Sequence, residues 1–285
     1  MDAAAQAALA VDDATFARFQ ALIHHEAGIW LAPVKRALLV GRLGRRLREL
    51  ALPTFAGYYE RVVADDAERV RMLDAICTNE THFFREPRHF EFLSERVLPA
   101  WREEADAGRR PRRVRAWSAA CSTGEEPFSI AMTLLAAFPA GWELEVFATD
   151  LSTKVLARAE SATWPLDKAA EIPAAPLKAF MLKGFGAQEG LMRAGPELRA
   201  LVRFARVNLV GDWPPGPPFD LVFCRNVLIY FDRGVKTRVV ERLLDRLDPR
   251  GYLFLGHAES LGGITARAKS VLPTVYAPAP AATRP

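Results

Sequence analysis

Phe219-Asp220-Leu221-Val222-Phe223-Cys224-Arg225-Asn226-Val227-Leu228-Ile229-Tyr230-Phe231-Asp232 reads as a buried strand that ends in polar groups. Arg225 and Asn226 stand at the strand's end, where burial is costly unless they meet partners or a ligand. Asp232 is placed to cap a following helix whose apolar stripe is Val235, Val239, Leu243 and Leu247. Tyr230 follows the strand, on the side where open parallel sheets bind ligands.

Working outward, short apolar runs alternate with amphipathic helices: Val114 to Ser118, a helix from Glu125, Val146 to Asp150, a helix from Thr153, the strand above, a helix from Arg233, and Tyr252 to Gly256. Strands alternating with helices imply crossover units and a mostly parallel sheet, an α/β class. Prolines, glycines and short runs interrupt the rhythm over 164–206, which reads as an inserted antiparallel β-subdomain at about 176–206. Upstream, 11–98 carries apolar residues at three- and four-residue spacing and predicts an all-α domain. Arg109-Arg110-Pro111-Arg112-Arg113 breaks that pattern, so 99–113 is expected to be a linker and 114–277 the second domain. The tail 278–285, rich in Ala and Pro, is expected to be disordered.

The 285 residues leave room for two cores. No apolar run reaches the roughly 18 residues that span a bilayer, and the start lacks the layout of a signal peptide, so a soluble cytoplasmic protein is expected. Cys77, Cys121 and Cys224 lie far apart without CxxC spacing, which predicts buried thiols and no metal site. A formal charge of +4 is too small an excess to indicate nucleic acid.

Ser118-Ala119-Ala120-Cys121-Ser122-Thr123-Gly124-Glu125-Glu126-Pro127 places small residues after the first strand and acids in the first turn of a helix. One glycine stands where a dinucleotide fingerprint has three, which argues against a diphosphate ligand; Glu125 suits a cationic, amino-bearing one. Asp150 ends the next strand 26 residues after Gly124. It either caps the following helix or accepts hydrogen bonds from a ribose diol. Glu125 and Asp150 together suggest a nucleoside without phosphates, a description that S-adenosylmethionine fits. Between Lys35 and Arg48 there are six basic residues and no acid. Lys35, Arg42 and Arg46 flank a stripe of Leu39, Leu43, Leu47 and Leu50, a face that is either solvated or turned toward an acidic partner.

Thr78-Asn79-Glu80-Thr81-His82-Phe83-Phe84-Arg85, Trp117 to Pro127, Phe223 to Phe231 and Gly256-His257-Ala258-Glu259-Ser260 together resemble the CheR family of chemotaxis receptor glutamate O-methyltransferases. The resemblance implies a Rossmann-like S-adenosylmethionine-dependent methyltransferase domain with a small inserted antiparallel β-subdomain, preceded by an all-α N-terminal domain. It implies a cofactor pocket lined by Asn79, Thr81, Arg85, Glu125, Asp150, Asn208, Leu209, Arg225 and Asn226, releasing S-adenosylhomocysteine. Arg85 and Tyr230 would sit at the transferred methyl, with Arg42 and Arg46 facing the substrate. The implied partners are cytoplasmic helices of a chemoreceptor, a methyl-accepting chemotaxis protein. Lys183-Gly184-Phe185-Gly186-Ala187-Gln188-Glu189-Gly190 resembles the loop by which some members hold a receptor's C-terminal pentapeptide. A monomer without nucleic-acid partner or membrane insertion is expected. The competing readings are a nucleic-acid or small-molecule methyltransferase and a non-catalytic signalling module of the same fold.

Overall fold

The structure, a computed structural model, describes residues 10–279. Four helices open it: α1 (Asp13–Ala27), α2 (Arg36–Glu49), α3 (Phe55–Ala64) and α4 (Asp66–Ile76). Asp12, Thr54 and Asp65 accept hydrogen bonds from the first-turn N–H groups of α1, α3 and α4. The apolar stripes meet in one core that includes Phe19, Ile23, Leu39, Leu43, Leu47, Tyr58 and Met72. Leu50 lies past the end of α2 and is only half-buried.

The helical pattern does not run on to Leu98. Residues 77–86 are irregular, with Phe84 and Glu86 in the left-handed region at φ 49° and 60°. Helix resumes as α5 (Pro87–Phe92), passes through a π-helical turn at Leu93–Val97 and continues as α6 (Leu98–Asp106). Phe90, Leu93, Val97, Leu98 and Trp101 of this stretch pack into the core of the sheet, not of the bundle. The helical core therefore ends at Ile76, and the expected linker 99–113 is helical as far as Asp106. Beyond it, the Arg110 guanidinium lies 3.9 Å from the Trp101 ring centroid and forms a buried ion pair with Asp220. A run of like charges resembles a connector when its neutralising partner lies 110 residues away.

Ten strands follow among the described residues: β1 (Arg113–Ala119), β2 (Glu143–Asp150), β3 (Thr163–Pro165), β4 (Met181–Lys183), β5 (Leu191–Ala194), β6 (Val202–Arg206), β7 (Phe219–Cys224), β8 (Leu247–Leu255), β9 (Ala268–Leu272) and β10 (Val275–Pro278). The helices between them are α7 (Glu125–Ala137), α8 (Thr153–Ser161), α9 (Ala174–Phe180), α10 (Pro196–Leu201) and α11 (Arg233–Asp245). Seven strands form the main sheet in the order β6-β2-β1-β7-β8-β10-β9. Its first five members are parallel, and β10 and β9 add an antiparallel edge. Alternate residues serve opposite faces: Leu221 and Phe223 join one core, Val222 and Cys224 the other. Burial on both faces is why β7 reads as an unbroken apolar run from Leu221 to Cys224.

The smaller sheet, β3-β5-β4, is antiparallel and spans 163–194. The expected bounds of 176–206 are corrected at both ends, because Val202–Arg206 pairs parallel to β2 at the edge of the main sheet. A short alternating strand carries no mark of which sheet it joins. Pro278 belongs to β10, and the Ala279 N–H donates to Arg267 O at 2.7 Å, so the expected disordered tail does not begin at 278. Pro278 lies beyond Val275 and Tyr276, the residues of β10 that pair with β8, at a strand end where a missing N–H is tolerated. Residues 280–285 lie outside the described residues. No helix among the described residues is long and apolar enough to cross a membrane.

Candidate functional site

The chain passes from β1 to β2 on one side and later crosses to β7 on the other, so the carboxyl ends of β1 and β7 part at a topological switch point. A cavity of about 1120 Å³, counting its open mouth, lies there.

Asp150 lines this cavity at the end of β2. Its carboxylate accepts the Ser152 and Ser122 N–H groups, each at 2.9 Å, and burial nonetheless holds its pKa above the usual carboxylate range. Helix α8 is capped by Ser152 instead, whose hydroxyl accepts the Val155 N–H, so the capping alternative for Asp150 is excluded. In the turn after β1, Ala120 and Cys121 both donate to Thr149 O at 2.8 Å, Ser122 donates to Asp150, and Gly124 to Cys121 O. These four amides are already satisfied and are not open to a phosphate. Ribose hydroxyls, which can donate to the remaining lone pairs of Asp150, fit this wall.

After β7, Asn226 takes a left-handed conformation at φ 59°. The buried Glu259 carboxylate holds it there, accepting N–H groups of Asn226, Ile229 and Gly256 at 2.9, 3.2 and 2.7 Å. Gly256 is required by this approach, since a Cβ there would stand 2.4 Å from the Asn226 amide nitrogen. Leu228–Tyr230 then forms a 3-10 turn that brings Tyr230 to the cavity. The Arg225 side chain is buried against Glu126 at 2.7 Å, donates to the Arg85 carbonyl, and lies 5.6 Å from the Phe90 and Phe223 ring centroids. It thereby ties segment 77–86 to the sheet.

The helical side completes the walls. Trp30 N–H donates to Tyr230 O at 2.8 Å, Ile29 bridges Phe231, and the Asn208 amide donates to Glu26 O at 2.6 Å. Gly28, the C-cap of α1 at φ 70°, sits where a Cβ would meet Val210 at 2.6 Å and Val235 at 2.9 Å. Asp74 of α4 accepts from the Thr153 N–H and hydroxyl of α8 at 2.9 and 2.8 Å. The Arg42 guanidinium donates to the Ile76 carbonyl and, at 2.8 Å, to Thr78 Oγ1, joining α2 to the irregular segment at the cavity.

Asn79, Thr81, Arg85, Asp150, Asn208, Leu209, Arg225, Asn226, Tyr230 and Arg42 thus share one cavity, although they come from five separate stretches of chain. Glu125 and Arg46 are not among its lining residues. The buried Glu125 carboxylate pairs with Lys168 at 2.9 Å and accepts the Thr123 hydroxyl at 2.6 Å; its neighbour Glu126 reaches the cavity. Consecutive helical residues point about 100° apart, so two adjacent acids in a sequence do not reveal which one faces the ligand. Arg46 makes two hydrogen bonds, at 2.6 and 2.7 Å, to the buried Glu68, which also accepts from Tyr58. A tertiary partner on α4 has captured the cation that helical spacing assigned to the substrate face. Ser122 and Glu126 of the cavity, and Glu259 behind it, are given no individual role by the sequence. Their signal is membership of a motif, Trp117 to Pro127 for Ser122 and Glu126 and Gly256 to Ser260 for Glu259.

Burial pushes the Cys77 thiol up to about 12 and those of Cys121 and Cys224 well above their ordinary value, which suits inert, neutral thiols. Among the described residues no group of three or more His, Cys, Asp and Glu is placed to hold a metal ion.

Residues 79–277 match the family described as "CheR methyltransferase, SAM binding domain", and residues 14–77 match "CheR methyltransferase, all-alpha domain". The chain is similar to "Chemotaxis protein methyltransferase 2" of Pseudomonas aeruginosa, with 40% identity over 270 residues covering 93% of this chain and 92% of that protein. It is 41% identical over 275 residues to "Chemotaxis protein methyltransferase" of Salmonella typhimurium, covering 94% and 91%. The protein of that name from Escherichia coli is 40% identical over 275 residues, covering 94% and 92%.

Proposed function

The chain belongs to the CheR family of S-adenosylmethionine-dependent chemotaxis methyltransferases, and from that premise we propose that it esterifies glutamate side chains on the cytoplasmic helices of a chemoreceptor. One observation carries the reading: a phosphate-free nucleoside wall built around Asp150 shares a cavity with cations of the helical side. The relatives' names favour this reading over a nucleic-acid methyltransferase or a non-catalytic module.

When bound, S-adenosylmethionine supplies an electrophilic sulfonium methyl group and departs as S-adenosylhomocysteine. Asp150 is assigned the ribose hydroxyls, and Asn79, Thr81, Asn208, Leu209 and Asn226 the rest of the cofactor. A glutamate carboxylate, with a reference pKa of about 4.3, is already ionised at neutral pH and needs no general base. The chain's task would be placement, bringing a carboxylate oxygen within reach of the methyl group that the bound cofactor would supply. Arg85 orients the carboxylate, and the Tyr230 hydroxyl donates to it. Arg225, bound to Glu126, is assigned to the frame rather than to the ligand. The loop Lys183–Gly190 is a candidate tether for a receptor C-terminus: it closes through the Gly184 N–H to Leu191 O at 2.9 Å and leaves Phe185 exposed.

Incubation with cofactor labelled on its methyl group and with receptor cytoplasmic fragments tests the reading. Label on the fragment that mild base releases is the expected outcome; base-stable label, or none, rejects it.

A further inference from the structure

Segment 77–86 lines the cavity without regular secondary structure of its own, so its backbone groups depend on side chains from elsewhere. Some of these come from the domain that holds the main sheet. Ser122 donates to Asn79 O at 2.9 Å, Ser129 of α7 accepts the Phe84 N–H at 2.9 Å, and Arg225 donates to Arg85 O. Two further bonds come from the inserted subdomain, out of the 3-10 turn Leu166–Glu171 that follows β3. Lys168 Nζ donates to Thr81 O at 3.2 Å, and the Glu171 carboxylate accepts the Phe83 N–H at 2.8 Å. The turn is itself anchored, because Lys168 Nζ lies 2.9 Å from Oε1 of the buried Glu125 and 3.6 Å from Glu171 Oε1. Beside it, Trp164 of β3 meets the Phe83 ring edge-on at 5.0 Å and donates through its indole N–H to Thr123 O at 3.1 Å. Thr81 and Arg85, two residues to either side of Phe83, both line the cavity, so a displacement of Phe83 reaches both.

We propose that Lys168 and Glu171 are positioning residues: through them the inserted subdomain braces segment 79–85, so that Asn79, Thr81 and Arg85 meet S-adenosylmethionine in a fixed geometry. The proposal rests on the assignment of Asn79 and Thr81 to the cofactor and does not depend on which group accepts the methyl. Its physical basis is preorganisation. An irregular segment that had to order itself on binding would lose affinity to that ordering, whereas one already bonded does not. Both side chains are partly open to solvent, Lys168 at 26% and Glu171 at 30%, so they act at the margin of the fold and not as its core.

The test is calorimetry of S-adenosylmethionine binding to the full chain, unsubstituted and as Glu171→Ala, Glu171→Gln, Lys168→Met and Asn79→Ala, with denaturant unfolding of each. Glu171→Ala is expected to raise cofactor Kd about 10-fold, the scale of one hydrogen bond to a charged acceptor. Glu171→Gln is expected to restore Kd to within about 2-fold, since its amide oxygen still accepts the Phe83 N–H. Lys168→Met is expected to raise Kd at least as far as Glu171→Ala, because it frees Thr81 O and leaves the Glu125 carboxylate unpaired; if that variant does not fold, the Glu171 pair decides alone. A weakened Asn79→Ala beside an unaltered Glu171→Ala overturns the brace and leaves the cofactor assignment standing. Equal losses in Glu171→Ala and Glu171→Gln also overturn it, since the charge and not the bond would then matter. Lower resistance to denaturant in Glu171→Ala with Kd unmoved overturns it as well, as a merely structural contact would behave that way. Unaltered affinity in Asn79→Ala removes the assignment on which the brace rests.

Discussion

The two walls of the cavity are built on opposite principles. The strand-end wall is buried, and its polar groups are bonded: Asp150 and Glu259 accept backbone N–H groups, and Arg225 is locked against Glu126. The helical wall presents long cations and apolar side chains to solvent, with Lys35 unpaired among the described residues. A fixed wall suits a rigid nucleoside, because donors and acceptors already in place need no reordering on binding. An exposed charged wall suits a macromolecular partner, whose approach it steers without a large desolvation penalty. Changes to the first wall should therefore appear in stability and cofactor affinity, and changes to the second in substrate KM.

The largest effect is expected from Arg225→Met, which strands the Glu126 carboxylate in the interior. Breaking a buried pair costs about 3–5 kcal/mol, readable by denaturant unfolding. A loss below about 1 kcal/mol would show that the wall is not a bonded frame. His89 sharpens the same point. Burial, then the Arg225 charge, hold its imidazole down at about 4 against the opposing pull of Glu86, so it stays neutral in the fold while the unfolded chain titrates near 6.5. With the folded value depressed, stability is fully present above pH 6.5 and is lost as pH falls from there toward 4, by about 3 kcal/mol. His89→Gln should flatten that slope in unfolding measured across the window.

Asp150→Ala should weaken S-adenosylmethionine binding about 10- to 100-fold in calorimetry, the scale of hydrogen bonds to a charged acceptor. Tyr230→Phe should lower kcat about 10-fold through one lost hydrogen bond while cofactor Kd holds, if its hydroxyl donates to the incoming carboxylate as proposed. Arg42→Ala should do least, raising substrate KM about 3-fold, as a half-buried cation that already has partners in the protein contributes little to a second molecule. A larger fall in cofactor affinity for Arg42→Ala than for Asp150→Ala would invert the assignment of the walls.

Much of this was legible in the sequence where one local pattern has one physical solution. The run Leu221 to Cys224 is apolar because both faces are covered, and Asp232 caps α11 by accepting the Val235 N–H, as expected. The failures lie where two solutions satisfy the same pattern. Segment 77–86 was read as helix, but Phe84 and Glu86 at positive φ bend it into the cavity wall. The choice between Glu125 and Glu126 depends on helix rotation, and the choice between Arg42 and Arg46 on where Glu68 stands.

The sequence by itself determined the fold class, the family and the positions at which chemistry is placed, because hydrophobic period, caps and motif order are local properties of the chain. Only the tertiary structure decided which charges remain open to a ligand. Lys168 takes Glu125, Glu68 takes Arg46 and Glu126 takes Arg225 across 43, 22 and 99 residues of chain. Charge pairing is a matter of distance in space, and spacing along the chain records that distance only within one helix or strand.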